Sequence, residues 1–190
     1  MSQTKATLIG DATTGTLTIG SGETLAFAGG GSTNELMFDA FRLTSNLIGS
    51  AGSNMITANL ERNDTAGTNG IINGTMSESS GVFTFPHTGI YEVKYQLVSY
   101  SSGSQGTSKY VGAYIHSTEN NSDYTLRAYG HNNHHAASYY SATTITTRID
   151  ITDTANQKVK FDFYIQGACT ALGGTSDSST SFFFTRLGDT

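Results

Sequence analysis

The chain has 190 residues, with 10 Lys+Arg against 15 Asp+Glu and a formal net charge of −5. An acidic balance without a basic cluster excludes the electrostatic footprint of a nucleic-acid binder. No apolar run reaches the roughly 18 residues of a membrane-spanning helix, no basic stretch leads into an apolar one as in a signal peptide, and the single Cys169 excludes an internal disulfide framework or a cysteine-based zinc site.

Glycine is abundant at 22 residues, tyrosine and phenylalanine stand at 10 each, proline occurs once and tryptophan is absent. Short apolar runs rich in threonine and aromatic residues, separated by glycine, point to an all-β fold. Only 13% of the residues are charged, about half the usual share. Either hydroxyls and amides carry the solubility, or other subunits cover part of the surface. The second reading is favoured because interface cores are depleted in charge.

Residues 1–31 differ in character from the rest of the chain. Apolar pulses at Thr7-Leu8-Ile9, Thr16 through Ile19 and Thr24 through Phe27 are each followed closely by glycine. The segment reads as an extended N-terminal β arm or intertwined stalk used for attachment; the alternative, a flexible leader, would be more charged and less β-branched. The run GGGS at residues 29–32 marks the hinge, giving an arm at 1–31 and a head at 32–190. In the head, Met37, Phe38, Phe41 and Leu43 supply the apolar content of a first strand. Residues 47–81 are weakly patterned and read as loops and edge strands.

Residues 81–100, GVFTFPHTGIYEVKYQLVSY, organise the head. A short apolar strand is followed by a turn holding Pro86 and Gly89, and then by the longest clean alternation in the chain. Tyr91, Val93, Tyr95 and Leu97 share one face, while Glu92, Lys94, Gln96 and Val98 share the other. A period of two predicts a strand packed on one side; a helix would scatter the polar residues around its apolar face. Further strands are predicted at KYVGAYIHS, where Tyr110, Gly112, Tyr114 and His116 oppose Val111, Ala113 and Ile115, and at DYTLRAYG, ending at Gly130. YYSATTITTRIDI and KVKFDFYIQ come next, the latter with Val159, Phe161, Phe163 and Ile165 toward the core; SFFFTRLG closes the chain. Eight or more short strands with regular turns read as a sandwich or jelly roll. Cys169 reads as a buried, inert thiol.

AFRLTSN at residues 40–46, SGVFTFPHTGIYEVKYQLV at 80–98 and the closing SFFFTRLG resemble the globular head of the C1q/tumour-necrosis-factor superfamily. In that family an early Ala-Phe strand precedes Gly-x-Phe-x-x-Pro-x-x-Gly-x-Tyr-x-Phe. Here Gly81, Phe83, Pro86, Gly89 and Tyr91 hold the pattern, Val93 replaces its last aromatic, and Thr185-Arg186 interrupt an apolar ending. The resemblance implies a ten-strand jelly-roll β-sandwich assembled as a homotrimer, with recognition on its outer surface. The usual collagenous stalk is absent, since residues 1–34 have no Gly-x-y period and no proline. The chain therefore looks more like the compact heads of bacterial and bacteriophage virion proteins.

Candidate chemistry is sparse. His131, His134 and His135 stand close enough in sequence to bind a transition metal if a loop turned them inward, although a solvated loop is the plainer reading. Asp150 and Asp153 suggest calcium held with backbone oxygens, or simply a turn. No G-x-S-x-G elbow and no phosphate-binding glycine loop occur, so no enzyme and no required cofactor are expected. Tyrosine is in excess of what one core needs. Tyr124, Tyr129, Tyr139 and Tyr140 are candidates for a ligand surface that stacks on sugars or meets a receptor. In the closing strand Phe182 and Phe184 lie on one face and Phe183 on the other, so both faces must be covered. Phe182, Phe183, Phe184 and Tyr95 are the candidates for trimer contact.

The expectation is a non-enzymatic structural virion protein at the virion surface: a trimeric capsid decoration or cement, or a fibre-tip head, joined to other virion proteins through residues 1–31. The alternative is an extracellular or cell-surface module that recognises carbohydrate or a host receptor. Neither binds nucleic acid or inserts in a membrane.

Overall fold

The structure is a computed structural model that describes residues 36–64, 67, 70–101, 109–134 and 138–190. The expected arm at 1–31 and His135 lie outside these residues.

Thirteen strands occur among the described residues: β1 (Met37–Leu43), β2 (Leu47–Gly49), β3 (Gly52–Met55), β4 (Leu60–Arg62), β5 (Ser77–Ser79), β6 (Val82–Thr84), β7 (Gly89–Ser101), β8 (Tyr110–Thr118), β9 (Tyr124–Asn133), β10 (Tyr139–Ile151), β11 (Lys158–Ile165), β12 (Cys169–Ala171) and β13 (Ser181–Gly188). They form two sheets. The first has the order β2-β12-β7-β13-β1-β4, with β10 also paired to β7. The second has the order β5-β6-β11-β8-β9, with β3 also paired to β11. The architecture is an all-β jelly-roll sandwich. Its strand number exceeds the expected ten because residues 47–79, read as loops and edges, supply four short strands of their own, and Cys169–Ala171 adds another.

The alternation of β7 is realised without a break. Tyr91, Val93, Tyr95 and Leu97 are completely buried, while Glu92, Lys94, Gln96 and Val98 are half-buried on the opposite face. Along one edge β7 pairs with β10 over all thirteen residues, from Gly89↔Ile151 to Ser101↔Tyr139. Along its other edge it takes β13 and then β12. The predicted inward set of β11 is equally buried.

Between the sheets, the ring of Phe83 lies 5.1 Å from Phe41 and Phe184 and 5.3 Å from Phe161; Phe161 lies 4.5 Å from Phe182, which stacks on Tyr95 at 5.0 Å. Edge-to-face and offset pairs of this kind add to the burial of each ring, itself about 1.5–3 kcal/mol. Two polar devices fix the periphery. Buried Asp39 accepts hydrogen bonds from the backbone N–H groups of Ala40 (2.9 Å) and Met76 (3.1 Å), and Arg62 grips both of its oxygens from 3.0 Å. A charge taken out of water is tolerable only when its lone pairs are filled in this way. Arg186, which interrupts the apolar ending of β13, points inward at 7% exposure; its Nε donates to the Thr88 carbonyl (3.0 Å) and its guanidinium pairs with Asp189.

The hairpin from β5 to β6 turns through Ser80 (φ 51°) and Gly81 (φ 80°), with Ser79 opposite Val82. Two consecutive positive φ values are the signature of a tight turn whose twist matches the flanking strands. A side chain on Gly81 would also meet the Ile56 carbonyl at 2.0 Å.

Two substitutions test this core. Phe184→Ala should cost about 3–5 kcal/mol of unfolding free energy, read from chemical denaturation, while Phe183→Ala, on the half-buried outer side, should cost clearly less. Gly81→Ala should cost at least about 1 kcal/mol, from its positive φ and the Ile56 collision together.

Candidate recognition face

The outward side of the second sheet carries a layer of aromatic rings, produced by register. Tyr164 of β11 pairs across to Gly112 of β8, and Asp162 to Tyr114. Gly112 in turn faces His131 of β9, and Tyr114 faces Tyr129. Alternation sends Tyr110, Tyr114 and His116 outward from β8, and antiparallel pairing adds Tyr124, Tyr129 and His131 from β9 and Tyr164 from β11. A bulge between Ile115 and His116 preserves this arrangement toward Tyr124.

The rings touch one another continuously. Tyr114 stacks with Tyr129 (5.5 Å, 20°) and tilts against Tyr164 (5.6 Å), and Tyr164 lies parallel to Tyr110 (6.2 Å, 4°). His131 meets Tyr110 (5.2 Å), Tyr129 (5.4 Å) and Tyr114 (5.5 Å) edge-on, with its Nε2 2.8 Å from the Tyr114 hydroxyl. Glycine at position 112 is required for this packing: a Cβ there would stand 2.4 Å from the His131 ring and 2.6 Å from that of Tyr114. Lys160 Nζ lies over the Tyr124 ring at 4.1 Å.

Asp162 lies beneath this layer. Although it belongs to the outward face of β11, it is 2% exposed; its Oδ2 accepts from Ser53 Oγ (2.6 Å) and lies 3.2 Å from His116 Nε2. Burial, and then the negative charge of Asp162, raise the Tyr114 phenol above its ordinary value, and burial raises Tyr124. Both hydroxyls therefore stay protonated and able to donate. Tyr129, at 60% exposure, is the most open tyrosine of the layer.

The four ligand-surface tyrosines divide between two places. Tyr124 and Tyr129 lie in this layer, whereas Tyr139 and Tyr140 begin β10 in the first sheet, where Tyr140 packs on Tyr100 at 4.7 Å and is 71% exposed. Tyr110, Tyr114, Tyr164 and His116 complete the layer. Their outward direction was legible from alternation, but their meeting depends on strand register, which no local pattern records.

The trimer-contact candidates divide as well. Tyr95, Phe182 and Phe184 are 0% exposed within a single chain and serve its core, leaving no surface for a neighbour. Phe183 alone faces outward from the first sheet, with Lys94 Nζ 5.1 Å above its ring and Phe38 6.3 Å away.

The metal candidates among the described residues are not brought together. His131 lies in the outer aromatic layer, while His134 is buried beside Ser99 and Cys169. Asp150 is exposed on β10. Asp153 accepts from the backbone of Ala155 (2.9 Å) and from Asn156 Nδ2 (2.7 Å), so both its oxygens serve its own turn. Among the described residues no three His, Cys, Asp or Glu side chains converge on one point. Cys169 is buried, as expected.

No protein-family profile and no curated protein matches the chain. Solved structures do. Eiger TNF from S. frugiperda aligns with a TM-score of 0.59 at 10% identity, covering 82% of this chain and 95% of that one. Murine APRIL at pH 8.0 aligns with a TM-score of 0.55 at 10% identity, covering 80% and 100%. These neighbours correct the virion reading. Neither is a capsid, tail or bacteriophage protein, and the expected capsid decoration or fibre tip is withdrawn on that finding. The chain has the C1q/TNF-like jelly-roll fold.

Proposed function

We propose that this chain is an extracellular, homotrimeric recognition module that binds a cell-surface receptor through the outer aromatic layer of its second sheet, with residues 1–31 as a separate attachment arm. One observation carries the reading: Tyr110, Tyr114, Tyr129, Tyr164 and His131 form a continuous outward layer while a full aromatic core already exists on the other side of the same sheet. Rings with polar tips supply rigid contact area at little conformational cost, and such residues dominate binding hot spots. The trimerising habit and extracellular setting of the fold family support the rest. A second reading, a saccharide ligand, is favoured by the hydroxyl-bearing, stacked character of the tyrosines.

The assembly is assigned to the opposite face. Most of the exposed large apolar side chains belong to the first sheet or its margins: Leu36, Ile48, Ile72, Ile90, Tyr140 and Leu187. Ile48, Thr170, Tyr100 and Tyr140 fall in one cross-strand row. Together with Phe38 and Phe183 they offer an apolar surface for a second and third copy.

Native mass spectrometry tests the assembly. Phe183→Asp should convert trimer to folded monomer, because it replaces an apolar contact with a carboxylate that must be desolvated in each copy with only Lys94 of its own chain in reach; a stable trimer would refute this interface. For recognition, Tyr129→Ser should leave the far-UV spectrum unchanged and weaken binding to cells, or to an immobilised glycan panel, by about tenfold or more, equivalent to a hot-spot loss of about 1.4 kcal/mol or above. Loss on cells alone identifies a protein receptor, and loss on the panel identifies a saccharide. Gly112→Val should have the same effect by displacing His131. Unchanged binding by both variants would sink the assignment.

A further inference from the structure

His134 follows β9 directly and is only 6% exposed. Its ring lies between β7 and β12: Nε2 is 3.1 Å from Ser99 Oγ, and Nδ1 is 3.9 Å from Cys169 Sγ. Ser99 Oγ also reaches the Ser141 carbonyl of β10 (3.3 Å), Cys169 Sγ donates to the Tyr100 carbonyl (3.3 Å), and the His134 backbone N–H donates to the Lys109 carbonyl (3.2 Å). One imidazole side chain thus joins the end of β9 to β7 and β12, and through Ser99 to β10.

Every partner in this cluster is neutral. From β7 it faces Ser99, from β10 the Ser141 carbonyl, and from β12 Cys169, the one titratable neighbour among the described residues; the Lys109 side chain is exposed. With the Ser99 O–H given to the Ser141 carbonyl, the neutral Nε2–H tautomer donates to Ser99 Oγ and leaves Nδ1 toward the Cys169 thiol. An imidazolium needs two good acceptors and compensation for its charge. The thiol is a poor acceptor, and no carboxylate acts on the ring.

We infer that His134 is an acid-released latch, holding the end of β9 closed while its ring is neutral and freeing it on protonation. The direction follows from burial, which keeps His134 below the ordinary imidazole value in the closed form, with the contact from Ser99 acting against it. The open form has the ordinary value near 6.5. It therefore takes up a proton more readily than the closed form. Closure is unaffected above about pH 6.5 and weakens as pH falls below it, by up to about tenfold in the opening equilibrium per pH unit until the closed form also titrates. Burial likewise raises the Cys169 thiol, so the pair remains neutral in the closed form. Since β9 carries Tyr129 and His131, the latch also provides acid release of whatever the aromatic layer holds; that consequence rests on the recognition reading, whereas the latch itself does not.

Cys169 is the only cysteine of the chain and reports the opening without any ligand. The experiment is labelling of the full-length protein with 4,4′-dithiodipyridine between pH 5.0 and 7.5, each rate divided by the rate in denaturant at the same pH. The normalised rate should be flat above about pH 6.5 and rise several-fold toward pH 5.5, and His134→Gln should abolish the rise. A flat wild-type profile overturns the latch, as does a rise that persists in His134→Gln. If that variant does not fold, hydrogen-exchange mass spectrometry of the wild type decides. Acid-induced exposure confined to peptides around residues 99–101, 133–134 and 169–171 supports the latch, and exposure shared equally with β11 and β13 refutes it.

Discussion

The fold depends on a single constraint placed on β7. Thirteen residues pair with β10 along one edge and nine of them with β13 and β12 along the other, while every second side chain turns into the interior. A strand in that position tolerates no slip, because a shift by one residue would send Glu92, Lys94 and Gln96 into the core and expel Tyr91, Val93, Tyr95 and Leu97. From this fixed strand the register of β10, β12 and β13 follows. The inward rings of Tyr95, Phe182 and Phe184 then set where Phe83 and Phe161 of the other sheet can pack.

The second sheet inherits that order and uses it differently. With Val159, Phe161, Phe163 and Ile165 committed inward, β11 must present Lys160, Asp162 and Tyr164 outward, and β8 must present Tyr110, Gly112, Tyr114 and His116. A carboxylate at the centre of such a face would normally be solvated. Here Tyr114 and His116 roof it, and Ser53 and His116 supply its polar contacts. The aromatic layer is thus a second packed stratum, built on the outside of a sandwich whose inside is already complete. In the proposed function this outer stratum is the surface that meets a partner.

Much of this was legible in the residues. The alternation of β7, β8 and β11 identified both their strand character and their buried sides, and the pattern of Gly81, Phe83, Pro86, Gly89 and Tyr91 identified the fold. What was not legible depends on pairing between distant segments. Tyr164 and Tyr110 are 54 positions apart in the chain and become neighbours only through the β11–β8 register. The histidine run showed the same limit. Its spacing suggested a shared ligand, yet His131 lies on an outward face and His134 is folded into the first sheet beside Ser99, because the strand ends between them. Composition also suggested the wrong setting. A charge-poor sequence suits a virion protein, but it suits equally any trimer that hides one face of each subunit.

Which face is hidden is the central claim, and hydroxyl-radical footprinting of the assembled protein in solution tests it most directly. Rapid oxidation is expected at Tyr129, Tyr114 and Tyr164 on the second sheet, with Tyr140, Phe38 and Phe183 on the first sheet protected relative to a dissociated control. The opposite pattern, with the tyrosine layer protected and the first sheet oxidised, would show that the aromatic layer is the subunit contact and would overturn the assignment of the two faces.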